Sequence, residues 1–85
     1  MVEKKFVGNI THFFPKPSVA VVELEGVLKN GDKISVERGE EMFEQVVNSM
    51  QIEHENIMEA KPGQSIGLKL DKATKEGAKV YKIIE

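Results

Sequence analysis

The sequence predicts an all-β domain, a small closed barrel of six antiparallel strands. Three observations lead there. Six short runs rich in β-branched and aromatic residues are separated by Gly- and Pro-containing turns. No apolar stripe is long and unambiguous enough to supply a helix that could cover an open sheet. Closure into a barrel also removes the exposed strand edges that invite aggregation.

The first run, "KKFVGNITHFF" at 4–14, reads as a strand. Strict alternation puts Phe6, Gly8, Ile10 and His12 on one face and Val7, Asn9, Thr11 and Phe13 on the other. Gly8 marks a bend or a close approach to a neighbour. "PKPS" at 15–18 ends the strand, because prolines donate no ladder hydrogen bond. "VAVVELE" at 19–25 is the second strand, with Ala20, Val22 and Leu24 facing in and Phe14 near the tip of the intervening loop. Asn30-Gly31-Asp32 is a turn, followed by a third strand carrying Ile34 and Val36. "RGEE" at 38–41 turns again.

Residues 42–54, "MFEQVVNSMQIEH", fit both a helical stripe and one face of a strand. Val46, Val47 and Ile52 favour the pleated state, so a strand is expected over about 44–53. Residues 56–63 read as a connection with Ile57 and Ala60 tucked inward. Pro62-Gly63 suits the centre of a type II turn, where the second position needs positive φ. Strands follow at 64–70 and 78–84, separated by a turn at 71–77. Gly67 inside a strand is expected at a bulge or a tight corner, and Val80 with Ile83 or Ile84 is expected to face in.

A chain of 85 residues makes a single domain over 1–85. It has no Cys, so neither disulfides nor thiolate metal ligands stabilise it, and a cytoplasmic setting is expected. It shows no signal-peptide run and no stretch able to span a bilayer, so no membrane partner is expected. The net charge of −2 argues against generic nucleic-acid binding. The charge is nonetheless uneven. Residues 37–59 hold seven acids and one base, Arg38, whereas residues 61–82 hold six lysines against Asp71 and Glu76.

The order of these pieces resembles the second domain of the translational GTPases, the β-barrel of elongation factor Tu and its relatives. The resemblance rests on "VAVVELEGVLKNGDKISV", "VNSMQIEHENIMEAKPGQSIGLKL" and "KEGAKVYK", and spans about residues 7–82. It implies Gly26, Gly31, Gly63 and Gly67 as turn and corner residues. No Gly-x-x-x-x-Gly-Lys-Ser/Thr loop occurs, so no GTPase domain, nucleotide cofactor or GTP hydrolysis is inherited. The positions that would help form that family's aminoacyl pocket are Gln51 and His54, which do not match its acidic residue and Arg. Other members of the superfamily use the barrel as an accessory docking module, including one appended to certain collagenase-type peptidases.

Catalytic chemistry is not advertised. His12 and His54 lack the further ligands that a metal site needs, and alternation turns Glu53 and Glu55 away from His54. Ser18, Ser35, Ser49 and Ser65 sit in no nucleophile motif. The expectation is therefore a non-enzyme without cofactor or metal. The "THFFPKP" tip is the strongest binding candidate, because adjacent Phe residues on an extended chain point in opposite directions. The expected binding residues are His12, Phe13, Phe14 and Lys16, with Lys69 and Lys72 adding charge. The first reading is a binding module that docks on RNA, the ribosome or a protein. The alternative is a protein-only accessory subunit of a separately encoded enzyme, of the peptidase-associated barrel type.

Overall fold

The first strand does not keep its alternation. In the computed structural model, which describes residues 3–16, 18–53 and 55–84, β1 runs Glu3–Phe14. Both Val7 and Ile10 are buried, three residues apart rather than two. Two bulges cause this. Against the C-terminal strand the register slips between Phe6 and Gly8, and against the second strand it slips between Ile10 and His12. Each inserts one unpaired residue and turns the faces over locally. The face assignment drawn from strict alternation is corrected accordingly. Gly8 and Ile10 pair with the buried Leu24 and Val22, and Phe13 pairs with the buried Ala20. Val7 also turns inward, its carbonyl accepting from the backbone N–H groups of Glu25 (2.7 Å) and Gly26 (3.2 Å). Gly8 is required where it stands. A Cβ there would lie 2.6 Å from the carbonyl oxygen of Glu23, closer than real contacts allow.

Nine further strands follow: β2 (Val19–Leu24), β3 (Leu28–Lys29), β4 (Lys33–Arg38), β5 (Glu41–Val46), β6 (Met50–Ile52), β7 (Glu55–Ile57), β8 (Glu59–Ala60), β9 (Ser65–Lys69) and β10 (Lys79–Ile84). The strand expected over about 44–53 is two strands rather than one. The chain leaves its first ladder at Val47, whose N–H still bonds Asp32 O (2.8 Å) and whose carbonyl accepts from Gly31 N–H (2.9 Å). It then crosses to the other side of the molecule, where Ser49 O accepts from Lys69 N–H (3.1 Å). The connection expected over 56–63 instead contains most of β7 and all of β8, with Ala60 buried and Ile57 half-buried. The Pro17 part of the stop signal, and His54, lie outside the described residues.

All pairings are antiparallel. One sheet runs β5-β4-β10-β1-β2-β9-β6-β7, and β3 pairs with β8 in a second. The expected closed six-stranded barrel is corrected here, because among the described residues no strand ladder joins the β5 end to the β9-β6-β7 end. Side chains bridge the gap instead. Gln45, only 6% exposed, donates from Nε2 to Lys69 O (2.9 Å) and accepts from Asp71 N–H at Oε1 (2.7 Å). A buried carboxamide satisfied on both sides avoids the cost of unpaired polar groups while tying the two flanks.

The core lies inside the curl of the sheet. It gathers Ile10, Val22, Leu24, Leu28, Ile34, Val36, Ile66, Leu68 and Val80, with Phe13 and Phe43 packed on it. Of the two C-terminal candidates Ile83 is buried and Ile84 is exposed. The Pro62-Gly63 turn is as expected. Gln64 N–H returns to Lys61 O (3.2 Å), and Gly63 has φ +88°. Gly31 also adopts positive φ, whereas Gly26 does not. Gly67 is neither bulge nor corner. It pairs in regular register with Val21 and Gln51, and its missing side chain makes room for Val19 Cγ1, 3.3 Å from where a Cβ would stand. No helix among the described residues is long and apolar enough to cross a membrane.

Candidate functional site

The end of β1 and the loop 70–78 form one mouth of the molecule. Phe13 points towards the core and Phe14 points out, 46% exposed, as two neighbours on a strand must. The chain then turns at Pro15 and Lys16. Ser18 holds the turn with a positive φ of 69°, its N–H bonding Phe14 O (3.0 Å) and its Oγ donating to Leu70 O (2.9 Å). Leu70 N–H returns to Ser18 O (3.0 Å), so the tip and the loop are fastened to each other.

The loop is fixed at its far end too. Gly77 N–H bonds Ile10 O (2.9 Å), and Ile10 N–H bonds Ala78 O (2.8 Å). Glu76 is held twice. Its carboxylate lies 3.1 Å from His12 Nδ1, and its carbonyl accepts from Arg38 Nε (3.3 Å). Between loop and tip opens a groove of about 630 Å³, against about 170 to 270 Å³ for three other hollows among the described residues. Phe13, Pro15 and Ala73 give it an apolar floor, and Arg38, Thr74, Lys75 and Glu76 give it a polar rim of mixed charge. A smaller hollow continues it past Arg38 to Glu41, at the start of β5.

The structure therefore brings together only part of the expected patch. Phe13 lines the groove, and His12 reaches it only through the Glu76 carboxylate. Phe14 packs edge-on against His12 on the outer face, with centroids 4.3 Å apart. Lys16 and Lys72 are exposed and do not line it. Lys69 lines a different hollow of about 260 Å³ with Val19, Ser49, Gln51 and Gly67. Arg38, Thr74 and Glu76 were missed as site residues. Arg38 carried a signal, being the lone base in an acidic stretch. Its convergence with residues 73–76 depends on pairing across β4 and β10, which local patterning does not contain.

Chemically the groove offers apolar contact, two cations, a carboxylate and a hydroxyl. Among the described residues no group of three or more His, Cys, Asp or Glu is placed to hold a metal. Such an arrangement can bind an extended polypeptide, apolar side chains on the floor and carbonyls or carboxylates at the rim.

No family model matches the chain. It is 40% identical over 80 residues to an uncharacterized protease of Methanocaldococcus jannaschii, covering 93% of this chain and 20% of the protease. The chain thus spans about a fifth of that relative. Two crystal structures of the C-terminal domain of a protein named as a U32 peptidase, from Geobacillus thermoleovorans, share its fold. One, a selenomethionine variant, has a TM-score of 0.84 and covers 89% of this chain and 96% of that domain. The other has a TM-score of 0.85 and covers 92% and 91%. Both are 22% identical to it, so they speak to the fold alone. These matches overturn the resemblance to the second domain of translational GTPases, and with it the elongation-factor reading. The proteins alike in sequence and fold are named for peptidases, and nothing among them points to RNA or the ribosome.

Proposed function

We propose that this chain is a non-catalytic accessory module of a peptidase, one that binds polypeptide through the Phe13–Arg38–Lys75 groove. The reading is supported above all by its match to one-fifth of a protease, which leaves the remaining four-fifths to carry the hydrolytic machinery. It is supported also by the groove, which has an apolar floor and a polar rim of two cations, a carboxylate and a hydroxyl. The module holds or orients protein substrate, and peptide-bond cleavage belongs elsewhere.

The test uses the 85-residue chain and a reduced, alkylated, fluorescein-labelled protein. Saturable binding without cleavage is expected, and RNase treatment leaves it unchanged. Arg38→Ala with Lys75→Ala weakens binding about tenfold, equivalent to ~1.4 kcal/mol, without moving the unfolding midpoint. Cleavage of the labelled protein by the purified chain, or binding indifferent to the double substitution, overturns the proposal.

A further inference from the structure

The groove ends at Glu41, and Glu41 begins β5, an outer strand of the eight-stranded sheet. The hairpin joining β4 to β5 fixes which backbone groups of β5 remain free. Arg38 pairs with Glu41 across the two-residue turn, and at the other end Val47 N–H bonds Asp32 O. Hydrogen-bonded and non-bonded pairs alternate between these points. The N–H and C=O groups of Phe43 and Gln45 therefore face β4, while those of Met42, Glu44 and Val46 point away from it. Among the described residues no backbone hydrogen bond outside the ladders reaches these three.

Exposed edges are usually made short or heavily charged. The opposite edge, β7, follows that rule with three residues, Glu55–Ile57. β5 is twice as long and shows Met42 (51% exposed) and Val46 (45%) on the same face, flanking Glu44. Glu44 is only loosely engaged, 3.7 Å from Lys33 at the surface.

We infer that β5 is a strand-addition site, taking an extended polypeptide segment with an apolar-x-basic-x-apolar pattern. Its backbone pairs with Met42, Glu44 and Val46, its two apolar side chains cover Met42 and Val46, and its cation meets Glu44. The bound segment continues past Glu41 into the groove, so this inference rests on the function proposed above and specifies the substrate's conformation and pattern. Charge selects the occupant. A second copy of β5 in antiparallel register centred on Glu44 would set that carboxylate against its own counterpart, and a two-residue slip would set it against Met42 or Val46. Like charges directly opposite destabilise a ladder. A basic segment complements Glu44, with backbone bonds giving affinity and alternate side chains giving specificity.

The probe is the labelled peptide Ser-Val-Thr-Lys-Thr-Val-Ser, titrated into the full chain. Saturable binding is expected, with slowed amide exchange at Met42, Glu44 and Val46. Methylating the lysine amide nitrogen, which removes one ladder donor and keeps every side chain, weakens binding at least tenfold. Glu44→Lys abolishes binding of this peptide and creates binding of its Glu-for-Lys counterpart, while circular dichroism of the variant stays unchanged. Binding indifferent to N-methylation, no swap of charge preference, or self-association of the chain through β5 each overturns the inference. If Arg38→Ala with Lys75→Ala abolishes polypeptide binding while the N-methyl and charge-swap arms have no effect, strand addition falls and the groove's function stands.

Discussion

In the central wall, β2 and β9 each have a neighbour on both sides, and their apolar residues sort cleanly. Ala20, Val22, Ile66 and Leu68 are buried, and Glu23 and Ser65 beside them are exposed. In the flank of β4 and β5 the same residue types sort differently. Ile34, Ser35 and Val36 are all buried in succession, while Met42 and Val46 stand in solvent. Ser35 is in register with Tyr81, which packs edge-on with Phe6 (centroids 5.7 Å apart), so the outer face is covered there. Alternation thus reports core where both neighbours are internal. At an edge an apolar residue reports association instead.

Substitutions break or sharpen this contrast in a definite order. The largest effect is expected in the wall. Leu68→Ala removes a fully buried side chain, with an expected cost of ~2–5 kcal/mol. For a domain this size total stability is on the order of 4–13 kcal/mol, so urea unfolding of the variant shifts far to lower midpoint. Gly8→Ala comes next, at ~1–3 kcal/mol, because the added methyl meets backbone rather than a side chain that can yield. Gln45→Ala, at the boundary between wall and flank, leaves Lys69 O and Asp71 N–H without their partner and costs ~1–3 kcal/mol by the same measurement.

The Lys4–Glu37 pair gives a smaller effect, readable through pH. Lys4 Nζ lies 2.7 Å from Glu37 Oε2, and Ser35 Oγ also donates to that oxygen (2.9 Å). These bonds, the lysine first, hold the Glu37 carboxyl below its ordinary pKa, and the bond to Glu37 raises that of Lys4. The carboxylate's contribution is therefore complete above the ordinary carboxylate range and is lost as pH falls through the lowered value. The ammonium's contribution is complete below the ordinary lysine value and is lost as pH rises through the raised one. Glu37→Gln is expected to flatten both limbs of a stability–pH profile. The pair is exposed enough that the change stays small. Smallest of all, Met42→Ala leaves stability within about 0.5 kcal/mol while reducing peptide binding. A large loss of stability there would make Met42 a core residue rather than a contact surface.

Much of the wall was legible because its causes are local. Val22 and Leu24 alternate, Pro62-Gly63 carries its own turn chemistry, and extended propensity in Val46, Val47 and Ile52 won over the helical stripe. The bulges in β1 were not legible, since they arise from neighbours with conflicting registers. The division of 42–54 was hidden for a related reason, Val47 being held by Asp32 and Gly31 from another turn. Of the candidate groove, Phe13 was legible because aromatic residues at a Pro-rich tip stand out. The lysines were misjudged because proximity in sequence is not proximity across a curled sheet. Lys69, Lys72 and Lys75 are three residues apart in turn, yet only Lys75 reaches the groove.

The Gln45 bridge has a mechanical consequence. One carboxamide ties β5 to residues 69–71 where a ladder of backbone bonds is missing, beside the point where the chain itself crosses through Val47–Ser49. Unlatching it breaks two hydrogen bonds and no strand pairing. Widening can thus be confined to the rim beside β5 while the opposite wall keeps its shape.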